Sequence, residues 1–164
     1  MAGCKAFVVD YQEIRSTLKS TVVLFSGDKK MEVVALWDTG ATNSHVSHDV
    51  VNQLQLITTG FIKTLTPTGE DNCKTYIVDS ILLPNDVAIR DKSVSESEIG
   101  KQGIGLLIGM DIISLGDFAV SNYDGKTAFT FRIPSQKHAD YVSPIRAQNV
   151  IGKKHGKGAR KRKS

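Results

Sequence analysis

The residues best placed to do chemistry lie in the stretch Ala35-Leu36-Trp37-Asp38-Thr39-Gly40-Ala41-Thr42. An apolar run from Val33 leads straight into Asp-Thr-Gly-Ala. Taken alone, Asp-Thr-Gly is also a common turn, because Asp bonds nearby backbone and Gly accepts positive φ. Solvent-facing turns are not usually entered through Val-Val-Ala-Leu-Trp, however, and a carboxylate at the end of a buried strand suits acid–base work. A second stretch, Leu106-Leu107-Ile108-Gly109-Met110-Asp111-Ile112-Ile113, places Gly109 71 residues after Asp38. A bulky apolar strand ending at Gly lets another segment approach closely there. By itself this second stretch reads equally well as a core strand followed by a helix cap.

Other chemistries find less support. His45 and His48 are three apart, but no third ligand accompanies them, and Cys4 and Cys73 form neither a CxxC pair nor a zinc pattern. No metal and no cofactor is therefore expected. Ser44 beside His45 is not embedded in Gly-x-Ser-x-Gly, and sequence neighbours rarely face each other. The run Gly103 to Gly109 has the wrong glycine spacing for a dinucleotide loop and opens no long helix.

The elements that must position Asp38 are mostly strands. Short apolar runs at Phe7–Val9, Thr21–Phe25, Glu32–Trp37, Ile62–Leu65 and Lys74–Leu83 are followed by Val87–Ile89, Gly105–Ile108, Phe118–Asn122 and Thr127–Ile133. Turn signals such as Pro84-Asn85-Asp86 and Tyr123-Asp124-Gly125 separate them. Strands spaced this closely predict a mainly β fold, a compact sandwich or barrel. Two short helices are expected. One is capped by Ser47 and runs to about Leu54; the other is capped by Asp111 and runs to Leu115, where Gly116 stops it. Between the two motifs, Thr66-Pro67-Thr68-Gly69 has a type I turn signature and predicts a hairpin with its tip over 66–72.

The formal charge of +4 conceals an uneven distribution. Seven of the 21 basic residues fall within Lys153–Lys163, which leaves 14 against 17 acidic residues elsewhere. The body is mildly acidic, and residues 152–164 form a basic tail that cannot bury enough apolar area to order itself. Such a tail serves as a solubilising segment or binds nucleic acid weakly and non-specifically. No apolar run approaches the roughly 18 residues of a membrane span. No basic stretch followed by a long apolar one opens the chain, and the two thiols read as free, so a reducing, cytoplasmic setting is expected.

The two motifs in this order resemble those of the retropepsin-like aspartic peptidases, and the resemblance covers roughly residues 21–134. The strands over 118–122 and 127–133 also look like the tail of bacterial members. The resemblance implies a single-lobed, closed β-barrel with one or two short helices, flanked by an N-terminal segment over 1–20 that is a candidate dimer-interface strand. A C-terminal extension over 135–151 and the tail over 152–164 follow. It further implies that Asp38 is the catalytic aspartate, that the Thr39 hydroxyl reaches across a dimer, and that the Gly40 carbonyl helps to bind substrate backbone. Ala41 is the retroviral-type residue, where two-lobed relatives often have Ser; without that hydroxyl, work nearer neutral pH is favoured. The hairpin carrying Thr66, Pro67, Thr68 and Gly69 would close as a flap over substrate lying against Gly40, Ile108 and Gly109. Many retroviral members pair an acidic residue after Asp-Thr-Gly-Ala with an Arg after the second glycine. Here those positions hold Thr42 and Met110, so this pair, one support of the dimer in those members, is absent from the sequence.

One Asp-Thr-Gly and no Asp-Ser-Gly means that a carboxylate pair requires two chains. The first reading is thus a homodimeric endopeptidase acting on peptide or protein without metal. The alternatives are an inactive member that serves as a dimerisation or peptide-binding module, and a nucleic-acid-associated protein acting through Lys153–Lys163.

Overall fold

The computed structural model describes residues 3–66 and 69–149; Pro67, Thr68 and the basic run 153–163 lie outside the described residues. Ten strands dominate. They are β1 (Lys5–Asp10), β2 (Leu18–Ser26), β3 (Lys29–Trp37), β4 (His45–Ser47), β5 (Thr58–Thr66), β6 (Gly69–Leu82), β7 (Ala88–Ser97), β8 (Leu106–Ile108), β9 (Asp117–Tyr123) and β10 (Lys126–Ile133). Helix α1 (His48–Leu54) follows β4, and α2 (Met110–Ile113) follows β8.

Six strands, in the order β2-β3-β8-β4-β7-β6, close into a barrel where β6 returns to β2 through the pairs Val23↔Leu82, Leu24↔Ile81 and Phe25↔Ser80. The fold is therefore mainly β with short helices, as the strand pattern predicts, and of the sandwich and the barrel it is the closed barrel that forms. The hairpin β5/β6 carries β5 beyond the closure. A second sheet, β1-β10-β9, is fully antiparallel. Its β9/β10 turn uses Asp124 and Gly125 at φ 51 and 71, the two positive values that a two-residue hairpin of right-handed strands demands.

Alternation explains the central hairpin. Val22 and Leu24 of β2, and Val33, Ala35 and Trp37 of β3, point inward, while Thr21, Glu32 and Val34 between them face out. Trp37 joins the two sheets. Its ring stacks on Phe118 at 5.7 Å and lies 5.0 Å from Phe131, 5.8 Å from Phe129 and 5.7 Å from Phe7. Its indole N–H donates to the buried Ser20 Oγ at 2.9 Å. The residue before Asp38 is thereby fixed on every side by aromatic packing.

Helix α1 forms as expected: the Ser47 hydroxyl accepts from Val50 N–H, and Val50, Val51 and Leu54 are buried. The second helix differs from expectation. It starts two residues earlier and ends at Ile113, its N-cap is Gly109, and Asp111 lies inside it instead of capping it. Three other elements are longer or new. Strand β7 runs to Ser97, well past Ile89; its exposed Arg90, Asp91 and Ser93 hide the apolar alternation. Strand β4 is three residues long, too short to show a period. Residues 142–149 are helical, begun by Asp140, whose carboxylate accepts from the N–H groups of Val142 and Ser143. Cys4 and Cys73 are free.

Candidate active site

Strands β3 and β8 run parallel with Trp37 opposite Ile108, so the two sequence motifs lie side by side. The Asp38 N–H donates to the Ile108 carbonyl at 3.0 Å, which carries the ladder one residue past the end of β3. The chain then turns: Ala41 N–H donates to Asp38 O at 3.3 Å, and Gly40 N–H donates to the Asp38 side chain, Oδ1, at 2.8 Å. The carboxylate is thus oriented by its own loop. Asp38 is half-buried, whereas Thr39 and Gly40 are exposed.

The far side of this loop rests on the Gly109 turn. Met110 N–H donates to Ala41 O at 2.8 Å, and Asp111 N–H donates to Thr42 O at 3.1 Å. Gly109 is required by close approach: a Cβ there would stand 2.5 Å from Asn43 O and 2.9 Å from Ala41 O. Gly109→Ala is expected to cost about 1–3 kcal/mol, the usual range for overpacking. Thermal or urea unfolding checks this directly. A neutral result would mean that the loop gives way without strain.

A polar network missed in the sequence locks the same junction. The buried Ser44 hydroxyl donates to Asp111 Oδ1 at 2.7 Å and accepts from Gly109 N–H at 3.1 Å. Lys92 of β7 meets Asp111 Oδ2 at 2.7 Å. The seryl group set aside as a nucleophile is therefore a brace between the two motifs. Thr42 and Met110 carry no charge, and Lys92–Asp111 supplies an ion pair at this junction from other positions.

Beside the loop lies a cleft of about 800 Å³. Ala41 and Leu107 line one side, and Asn72, Cys73 and Lys74 of the β5/β6 hairpin line the other. Of the hairpin residues singled out in the sequence, Thr66 and Gly69 form its last strand pair, while Pro67 and Thr68 lie outside the described residues. His45 and His48, weighed as metal ligands, both line the cleft. Among the described residues no three His, Cys, Asp or Glu side chains are grouped to hold a metal ion.

His48 Nδ1 lies 2.6 Å from Glu96 Oε1, and the Tyr76 hydroxyl donates to Glu96 Oε2 at 2.8 Å. This network ties α1, the hairpin strand β6 and β7 together. The hydrogen bond with His48 foremost, aided by that from Tyr76, holds the Glu96 carboxyl below its ordinary value. The stabilisation is therefore complete above the unfolded carboxylate value near ~4.3 and is lost as pH falls through the lower folded value. Discounted for the solvent around the exposed His48 ring, Glu96→Gln should cost about 1 kcal/mol at pH 6, or ~3 °C in Tm. The gap between variant and parent should close in melts at progressively more acidic pH; a gap that widens there would contradict this role for Glu96.

Among solved structures the chain is similar to a retropepsin-like aspartic protease from Rickettsia conorii, at 14% identity over 80% of this chain and 96% of that one, with a TM-score of 0.48. No protein-family model matches the chain, and no curated protein does.

Proposed function

We propose that the chain is one subunit of a homodimeric aspartic endopeptidase in which Asp38 of each copy supplies half of the catalytic pair. The observation that carries this reading is the Asp38 loop itself. Its carboxylate is oriented by Gly40 N–H, its base is clamped by the Gly109 turn, and Thr39 and Gly40 face outward where a second copy can meet them. The other carboxylate at this junction, Asp111, is committed to Lys92 and Ser44, so it is a poor candidate for the second acid. The outer edges of β1 and β9, each paired only with β10 among the described residues, offer further surface for the partner.

In this mechanism one carboxylate of the pair is ionised and takes a proton from a water held between the two. The other is protonated and donates to the peptide carbonyl oxygen as the water oxygen bonds to carbon. The tetrahedral diol then breaks its C–N bond, and the departing nitrogen takes a proton from the pair. The β5/β6 hairpin covers the extended substrate and limits water in the cleft.

Incubating the purified protein with a peptide library and reading the products by mass spectrometry tests the reading. Cleavage resistant to chelators and blocked by a statine-type mimic of the diol supports it. Cleavage abolished by a chelator contradicts it.

A further inference from the structure

The β5/β6 hairpin leaves the barrel at a definite rung. Strand β6 pairs with β7 from Thr75 to Leu82, whereas residues 69–74 pair with β5 alone among the described residues. At that rung β5 carries a bulge: Thr58 lies opposite Tyr76 and Gly60 opposite Thr75, which leaves Thr59 without an opposite residue. A bulge interrupts the ladder and lets a strand bend. Beyond it little packing holds the hairpin: Phe61, Lys63, Asn72 and Lys74 are exposed, and Ile62 and Cys73 are only half-buried. Regions with few buried contacts open at the low end of a protein's range of free energies.

Tyr76 stands on the same rung, buried at 3% exposure. Its hydroxyl donates to Glu96 Oε2 at 2.8 Å, and Glu96 Oε1 meets His48 Nδ1 at 2.6 Å. Glu96 lies opposite Val46 of β4, and His48 opens α1, whose Val50, Val51 and Leu54 are buried. The Tyr76 hydroxyl is thus bonded to a partner fixed in the barrel. Glu96 and His48 line the same cleft as Asn72, Cys73 and Lys74 of the hairpin.

From the bulge and this bond together, we propose that the hairpin swings as one piece about Thr59 and Gly60, and that the Tyr76–Glu96 bond is the latch that holds it over the cleft. A swing at this rung carries the Tyr76 hydroxyl away from Glu96, so the bond is present only with the hairpin down. Glu96 stays bonded to His48 when the latch opens, which spares its carboxylate the cost of having no partner. Tyr76 and Glu96 position the hairpin and take no part in bond cleavage; their effect on substrate rests on the peptidase reading.

The test is native-state amide hydrogen exchange of the Tyr76→Phe protein, which keeps the ring and loses only the hydroxyl. Trp37→Phe is the control, because the Trp37 cluster joins barrel and second sheet and stays intact when the hairpin alone opens. Exchange over residues 60–66 and 69–74 should quicken about fivefold in Tyr76→Phe, the effect of one net hydrogen bond, and stay at the parent rate in Trp37→Phe. Hairpin exchange unchanged by Tyr76→Phe means that the hairpin frays without breaking the bond, and overturns the latch. Hairpin exchange quickened equally by Trp37→Phe means that it opens only with the whole barrel, and overturns the hinge. The effect on substrate is read by stopped flow in the Asp38→Asn background, with a peptide that the unaltered protein cuts. Adding Tyr76→Phe should speed dissociation of that peptide by about the same factor, since the hairpin must lift to release it; an unchanged dissociation rate overturns this role. A protein that cuts no peptide loses the peptidase reading, and the exchange result still decides the latch.

Discussion

Asp38→Asn is expected to lower peptide turnover by a factor of ~10³ or more while leaving a folded dimer, since the pair would lose the group that exchanges the proton. Asn is close to isosteric with Asp, and its Oδ1 can still accept from Gly40 N–H, the bond that orients the native side chain at 2.8 Å. The clamp from Met110 and Asp111 onto the loop carbonyls uses backbone alone and is untouched. Circular dichroism and sedimentation should therefore match the parent, and only the rate should fall. A variant that retains activity would remove Asp38 from the reaction.

Trp37→Ala should be among the most damaging single changes to stability, at about 3–5 kcal/mol. The indole fills the junction between barrel and second sheet, against Phe7, Phe118, Phe129 and Phe131. Its removal leaves a void among rings and strips Ser20, buried at 8% exposure, of its donor. Trp37→Phe should cost far less, about 1–2 kcal/mol, because a ring remains and only the hydrogen bond and part of the volume are lost. Urea unfolding followed by circular dichroism separates the two; fluorescence cannot, since Trp37 is the single tryptophan. Equal, small losses would mean that the cluster closes around the gap.

Much of this architecture is legible in the sequence because its causes are local. The alternation in β2 and β3 follows from one buried face, the Asp124-Gly125 turn from positive φ, and the α1 start from the Ser47 hydroxyl. At Gly109 the sequence shows that some segment can approach closely, but not which one; only the resemblance links it to the Asp38 motif, and the structure identifies the partners as the Ala41 and Asn43 oxygens. What stayed hidden is non-local. Nothing near Asp111 in sequence reveals that Lys92 and Ser44 claim its carboxylate, so it reads as a helix cap. Strand β4 owes its existence to Leu106 and Leu107 on one side and residues 95–97 on the other, and its three residues carry no period. His45 and His48 attract attention as a pair, yet their surroundings come from β6, β7 and β8, and these make them walls of a cleft.

The central claim, that catalysis needs one Asp38 from each of two chains, is tested most directly by mixing. Unaltered protein and Asp38→Asn protein are combined at constant total concentration, allowed to exchange subunits, and assayed across the full range of ratios. If both carboxylates are required, mixed dimers are inactive and the rate follows the square of the unaltered fraction, so an equal mixture keeps about one quarter of the activity. A rate that falls in direct proportion to that fraction after subunit exchange would mean that each chain works with its own residues alone, and would contradict the account.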